Sequence, residues 1–210
     1  RRISERRQPV FFAKCPSDAG LRTLLEARSA SAFTHSHEGV TVGSEIVAPQ
    51  GFRLDVYGVE VGQGETDFAR ACEAVATFAH YPSSFTRVYS LTPRAEVGTV
   101  FGTIASHFGF ASVHPCRILE VIDESATRRF GFALGTLPGH IGDGEERFLV
   151  SLNEKDGRVR YDVRAVSRPH GVLGRLGSPF FRHFQLRFQA ETCAAMRSFV
   201  GRRSESSAIS

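Results

Sequence analysis

The residues best suited to chemistry in this sequence are concentrated in one stretch, Gly135-Thr136-Leu137-Pro138-Gly139-His140-Ile141-Gly142-Asp143-Gly144-Glu145-Glu146. An imidazole and three carboxylates so close together can trade protons near neutral pH or hold a cation, because burial and neighbouring charge move such groups into that range. His140 and Glu145 are the candidate general bases. The glycines and the proline equally describe a long hairpin loop with special backbone geometry and solvated acids, and the sequence leaves both readings open. Arg168, in Ser167-Arg168-Pro169-His170, could anchor an anionic group or pair with a carboxylate of that loop. Arg182 and Gln185 flank an aromatic stripe near the chain's end, where they could reach into a cavity or stay at its rim.

The remaining chemical signals are weaker. His35-Ser36-His37-Glu38 would put two imidazoles on one side of a strand, but a catalytic zinc needs a third protein ligand, and no metal is expected. His107 and His114 have no partner at a ligand spacing. Gly62-x-Gly64 lacks the third glycine of a dinucleotide loop, and the phosphate-loop lysine motif, the serine nucleophile elbow and the zinc-protease helix motif are missing. No cofactor is expected. Cys15, Cys72, Cys116 and Cys193 stand apart from one another, and Cys72 and Cys193 on helical patterns and Cys116 at the start of a strand are placed as buried thiols are, which suits a reducing, cytoplasmic compartment. The chain opens on Arg rather than Met, which leaves room for a removed targeting segment. Net charge is +4, most of it from Arg1, Arg2, Arg6 and Arg7, so the body lacks the basic stripe of a nucleic-acid binder. No run approaches the length of a membrane-spanning helix. Oligomeric state is not legible.

These residues need a scaffold, and 210 residues with 41% hydrophobic and 23% charged side chains suit one soluble domain. Residues 1–10 form a charged lead, 11–201 an α+β domain and 202–210 a Ser-rich tail. Ser17 caps a short helix carrying Leu21, Leu24 and Leu25. Residues 30–64 show only short β-like pieces, Ser44 to Ala48 and Arg53 to Tyr57. A helix capped by Thr66, with Asp67 near its positive end, carries Phe68, Ala71, Cys72, Val75 and Phe78 on one face and ends at Pro82. The period then switches to two, giving strands at 85–91, 97–106, 116–123, 130–137, 146–153 and 158–167. The last two form a hairpin across Asp156-Gly157, with Phe148, Val150 and Leu152 facing Val159, Tyr161, Val163 and Ala165. Ser178-Pro179 opens a long final helix, Gly201 stops it, and Phe181, Phe184, Phe188, Ala195 and Phe199 make its apolar face. This order predicts an α+β fold, a curved antiparallel sheet wrapped on a long C-terminal helix. Eighteen Phe and no Trp supply either plain core packing or an apolar cavity.

Several blocks in register are similar to the family catalogued as domain of unknown function nineteen-ninety. They are Gly-Phe-Ala-Leu-Gly-Thr-Leu-Pro-Gly-His at 131–140, Gly-Glu-Glu-Arg-Phe at 144–148, Ala-Val-Ser-Arg-Pro at 165–169 and Arg-x-x-Gln at 182–185. Upstream, 57–68 and 115–118 resemble further blocks, so the resemblance runs from about residue 33 to 200. Two positions depart from it: Thr77-Phe78 stands where the family carries Trp, and Leu134 replaces its usual tyrosine. The resemblance implies a helix-grip-like fold, akin to lipid-transfer and polyketide-cyclase proteins, and no established activity.

The expected function is binding of a small apolar or amphipathic molecule between the sheet and the final helix. Phe184 and Phe188 would line the cavity, with Arg168, His140 and Glu145 orienting a polar end and Arg182 and Gln185 nearby. The alternative is an enzyme of hydrolase, isomerase or cyclase type, using His140 or Glu145 as base and Arg168 as anion anchor. An interaction module, marked by an exposed apolar patch, is the third reading.

Overall fold

The computed structural model describes residues 10–43, 45–81, 84–107, 110–170 and 178–202. Most of the charged lead, the Ser-rich tail beyond 202, Ser44, Pro82 and the side chains of His107 and Phe181 lie outside the described residues. Among the described residues, eight strands and three α-helices follow in the order β1 (Val10–Phe12), α1 (Asp18–Glu26), β2 (Arg53–Gln63), α2 (Gly64–Ala76), β3 (Thr86–Ser90), β4 (Val100–His107), β5 (Phe110–Glu124), β6 (Arg129–Thr136), β7 (Gly142–Leu152), β8 (Arg158–Pro169) and α3 (Ser178–Gly201). One antiparallel sheet runs β2-β8-β7-β6-β5-β4-β3, and β1 pairs with β5. β5 is long enough to serve three neighbours: residues 110–117 pair with β4, 111–113 with β1 and 116–124 with β6. A register shift between Ile118 and Glu120 marks a bulge, which bends a strand and increases its twist.

The concave face of this sheet packs on α2 and the C-terminal half of α3. Val150, Tyr161 and Val163 of the β7–β8 hairpin meet Ala71, Val75, Met196 and Val200 in the main core. Tyr161, Phe101, Phe132 and Phe148 are fully buried there, and truncating such an aromatic to alanine costs about 3–5 kcal/mol. On the convex face, Ser17 caps α1, and Leu21 packs on Ile104, Ala111 and Val113.

Three sequence expectations change. First, α2 starts at Gly64, not after Thr66: β2 runs straight into it, and Gly64 supplies the turn at φ 80°. Asp67 still sits in the first turn and accepts the Gln63 N–H at 2.9 Å. Second, α2 ends at Ala76, well before Pro82, because Phe78 takes a left-handed φ of 61° and turns its ring onto Phe101 and Phe132. Third, the segment from 45 to 48 carries no strand, whereas β2 extends from Arg53 to Gln63 as a sheet edge. Residues 27–43 and 45–52 instead wrap the convex face without regular structure.

Candidate functional site

Between the concave face and the N-terminal half of α3 lies a cavity of about 400 Å³. Tyr57 of β2, Tyr81, Leu134 of β6 and Phe184 and Phe188 of α3 form its apolar walls. Tyr81 packs edge-on against Phe188 with ring centres 5.5 Å apart. The cavity exists because α3 bears on the sheet through Thr192, Met196 and Val200, while its earlier turns are held off by polar struts. Arg182 pairs with Asp55 of β2 at 2.8 Å, and Gln185 donates to the Ser167 hydroxyl of β8 at 3.3 Å.

The glycine-rich stretch supplies much of the wall, though not as a long loop. The turn from β6 to β7 spans only residues 137–141, and β7 begins at Gly142, which places all three carboxylates on a strand. Gly142 and Gly144 suggest a turn in the sequence, yet Gly144 pairs with Ser167 of β8. A Cβ at Gly144 would lie 2.8 Å from the Ser167 Cα, so glycine here permits close strand approach.

Once on a strand, neighbouring acids must point to opposite faces. Glu145 faces outward and is buried. Its Oε2 accepts the Gly39 N–H at 2.7 Å, and its Oε1 accepts the Thr41 N–H at 2.7 Å together with the Thr41 hydroxyl. These bonds clasp the wrapping segment to the sheet. Arg147, also outward and buried, donates to the Val42 carbonyl at 3.0 Å, and desolvation lowers its guanidinium to about 10. Asp143 is buried between His170 Nδ1 at 2.7 Å and Arg168 Nε at 3.3 Å.

Glu146 alone of the three turns inward. It shares the parity of Phe148, Val150 and Leu152, lines the cavity, and accepts the Tyr57 hydroxyl at 3.3 Å. Desolvation raises its carboxyl to about 7; the Tyr57 hydrogen bond opposes that rise and the nearby Asp55 charge adds to it. The alternation of Phe148, Val150 and Leu152, extended two residues back along the same face, leads to Glu146 in the sequence.

Of the residues singled out in the sequence, His114, His140, Phe184, Gln185 and Phe188 border the cavity, the His114 and His140 rings lying 5.2 Å apart. The His140 Nδ1 lies 2.8 Å from the Gly142 carbonyl and 3.0 Å from the Gly142 N–H, so either tautomer is satisfied there. Desolvation holds this imidazole down to about 4 and keeps it neutral at pH 7. Glu145 borders the cavity through its backbone, with its carboxylate turned to the convex side. Arg168 is not part of the lining; its guanidinium lies over the Phe52 ring, 4.6 Å from the centre. Arg182 is a strut to Asp55 rather than a wall. His35 lies under the convex wrap, its Nδ1 accepting the His37 N–H at 3.3 Å.

Comparison with solved structures gives the fold. A hypothetical protein from Helicobacter pylori superposes with a TM-score of 0.53 at 13% identity, covering 79% of this chain and 95% of that one. A norcoclaurine synthase point mutant from Thalictrum, solved with a transition-state analogue, gives a TM-score of 0.50 at 12% identity, covering 74% and 97%. The architecture is therefore of the helix-grip type expected from the sequence. Among curated proteins, a UPF0548 protein of Dictyostelium discoideum is 27% identical over 208 residues, 91% of this chain and 96% of that protein. A family model described as Domain of unknown function (DUF1990) matches residues 34–195, and the chain belongs to that family.

Proposed function

We propose that this protein binds a small apolar or amphipathic molecule in the cavity between the sheet and α3. The observation that carries this reading is the cavity itself: about 400 Å³, walled by Tyr57, Tyr81, Leu134, Phe184 and Phe188, with few polar groups facing inward. That size and lining match the usual small-molecule site, in which apolar walls supply affinity and a few polar groups supply orientation. Phe184 and Phe188 keep the wall role expected of them, and Glu146 joins His140 and Gln185 as the orienting groups. Arg168, on this reading, acts through Asp143 and stiffens the end of β7 and β8.

A second reading, an enzyme, draws on one specific observation. Glu146, raised to about 7 beside Tyr57, suits proton transfer at neutral pH better than Glu145, whose two oxygens already accept hydrogen bonds from the wrapping segment.

The test uses a naphthalene-based fluorescent probe, native mass spectrometry and the variant Ala165→Phe, which adds a ring where Ala165 lines the cavity beside Glu146. One probe should bind per chain, and the filled variant should lose at least about tenfold in affinity, on the order of 1.4 kcal/mol. Equal binding by parent and variant would place the probe elsewhere and contradict the reading.

A further inference from the structure

The charge of the cavity specifies its ligand more narrowly than its apolar walls do. Among the described residues no lysine or arginine lines it, whereas Asp55 and Glu146 do. Asp55 is already paired with Arg182 at 2.8 Å and Arg53 at 3.6 Å. Glu146 has no such counter-charge: its hydrogen bond is from the uncharged Tyr57 hydroxyl, and among the described residues no cation pairs with it. Phe184, Phe188, Tyr57 and Tyr81 surround the same space, and an aromatic face attracts a cation, by about 2 kcal/mol or more when water is excluded.

Resting on the cavity reading above, we infer that the ligand's polar end is a cation, so that the site takes an apolar or aromatic amine with its ammonium seated on Glu146. Among the described residues an anionic ligand would meet Asp55 and Glu146 and no lysine or arginine; of the two imidazoles in the lining, His114 and His140, burial keeps His140 neutral at pH 7. An uncharged ligand would gain a hydrogen bond but leave the aromatic and carboxylate features unused. In the empty cavity desolvation favours the protonated carboxyl. An arriving ammonium supplies the missing counter-charge, the carboxyl ionises, and its proton leaves to solvent.

The titratable groups around Glu146 are Asp55 and Tyr57 from β2, His114 and Cys116 from β5, Tyr161 from β8, Tyr81 from the segment after α2 and His140 from the turn before β7. Burial pushes Tyr57, Tyr81, Tyr161 and Cys116 upward, leaving them uncharged at neutral pH. The wall contributed by α3, with Phe184, Gln185, Phe188 and Gln189, has no titratable group, and Arg182 is engaged with Asp55. The pH response of amine binding is assigned to Glu146 by its loss in Glu146→Gln.

Isothermal titration of the full chain with three isosteric probes, 1-naphthylmethylamine, 1-naphthylmethanol and 1-naphthoate, tests this at pH 6 and pH 8. At pH 8 the amine should bind at least about tenfold tighter than the alcohol, with naphthoate weakest. Amine affinity should rise several-fold from pH 6 to pH 8, with proton release that differs between buffers as their ionisation enthalpies do. In Glu146→Gln the amine and the alcohol should bind alike. An alcohol or naphthoate that binds wild type as tightly as the amine, or an amine preference that survives in Glu146→Gln, would overturn the inference and leave the cavity reading standing. Failure of all three probes would count against the cavity reading and the amine together. The wild-type comparison decides the matter even if the variant does not fold.

Discussion

Glu145 and Glu146 are chain neighbours, and the two faces of the sheet give them opposite surroundings. On the convex side Glu145 meets two backbone N–H groups and a hydroxyl, a setting that holds chain in place. On the concave side Glu146 meets aromatic walls and one phenol, a setting that favours the neutral acid until a partner arrives. One residue of strand parity thus separates a structural clasp from a binding group. The acids of such a segment therefore cannot be assigned roles until their face is known.

The largest effect should come from breaking the clasp. Glu145→Ala leaves the two buried donors of Thr41 unmatched, at roughly 1–3 kcal/mol each, and frees the exposed Gly39 N–H to water, so urea unfolding should show a loss of about 2–5 kcal/mol. Glu145→Gln should cost less, because an amide oxygen still accepts. A loss under 1 kcal/mol for Glu145→Ala would mean that the convex wrap does not depend on this carboxylate.

The inward acid should show itself through pH. Its folded value of about 7 lies above the unfolded reference of 4.5, so the folded state holds an extra proton between them. Its contribution to stability is therefore fully present below the unfolded value, declines as pH rises, and is lost above about 7, by an amount on the order of 3 kcal/mol. His140, lowered to about 4 by burial, has the opposite sign: its contribution is present above 6.5 and declines as pH falls toward 4. Subtracting the pH–stability curve of Glu146→Gln from that of wild type isolates the first of these. A flat difference curve would contradict the placement of Glu146.

Arg168→Ala sharpens the comparison from the rim. The side chain is 43% exposed while its partner Asp143 is 6% exposed, and a half-exposed pair contributes at most about 1 kcal/mol. Stability should fall by no more than that, and cavity-probe affinity should stay within about twofold. A tenfold loss of affinity would return Arg168 to the role of ligand anchor. The smallest effect belongs to Tyr57→Phe, which removes the hydrogen bond that lowers Glu146 and should move its titration midpoint upward. A downward movement in an NMR titration would mean that Tyr57 stabilises the protonated acid instead.

Much of this scaffold is legible in the sequence because it rests on local periodicity. Phe148, Val150 and Leu152 alternate so clearly that the β7–β8 hairpin, its Asp-Gly turn and its buried face are fixed by pattern alone. The final helix is equally plain from Ser178-Pro179 and its aromatic spacing. What fails is local chemistry overridden by tertiary pairing. Gly142 and Gly144 look like turn residues until β8 is present to pair with them, and only that pairing shows that Asp143, Glu145 and Glu146 lie on a strand. The convex wrap is unreadable for a related reason. Residues 29–42 are held by long-range bonds from Arg117 to the Ser29 and Ser31 carbonyls, and from Glu145 and Arg147 to residues 39–42, none of which leaves a period in the wrap itself.

The central claim, that adjacent acids serve opposite faces and that the inward one awaits a partner, is tested most directly by the carboxyl carbon of Glu146 in ligand-free protein. A carbon-13 NMR titration, with the resonance assigned by its disappearance in Glu146→Gln, should give a midpoint of about 7. A midpoint at the ordinary glutamate value near 4.3 would show a carboxyl solvated like any surface acid, and would contradict the account.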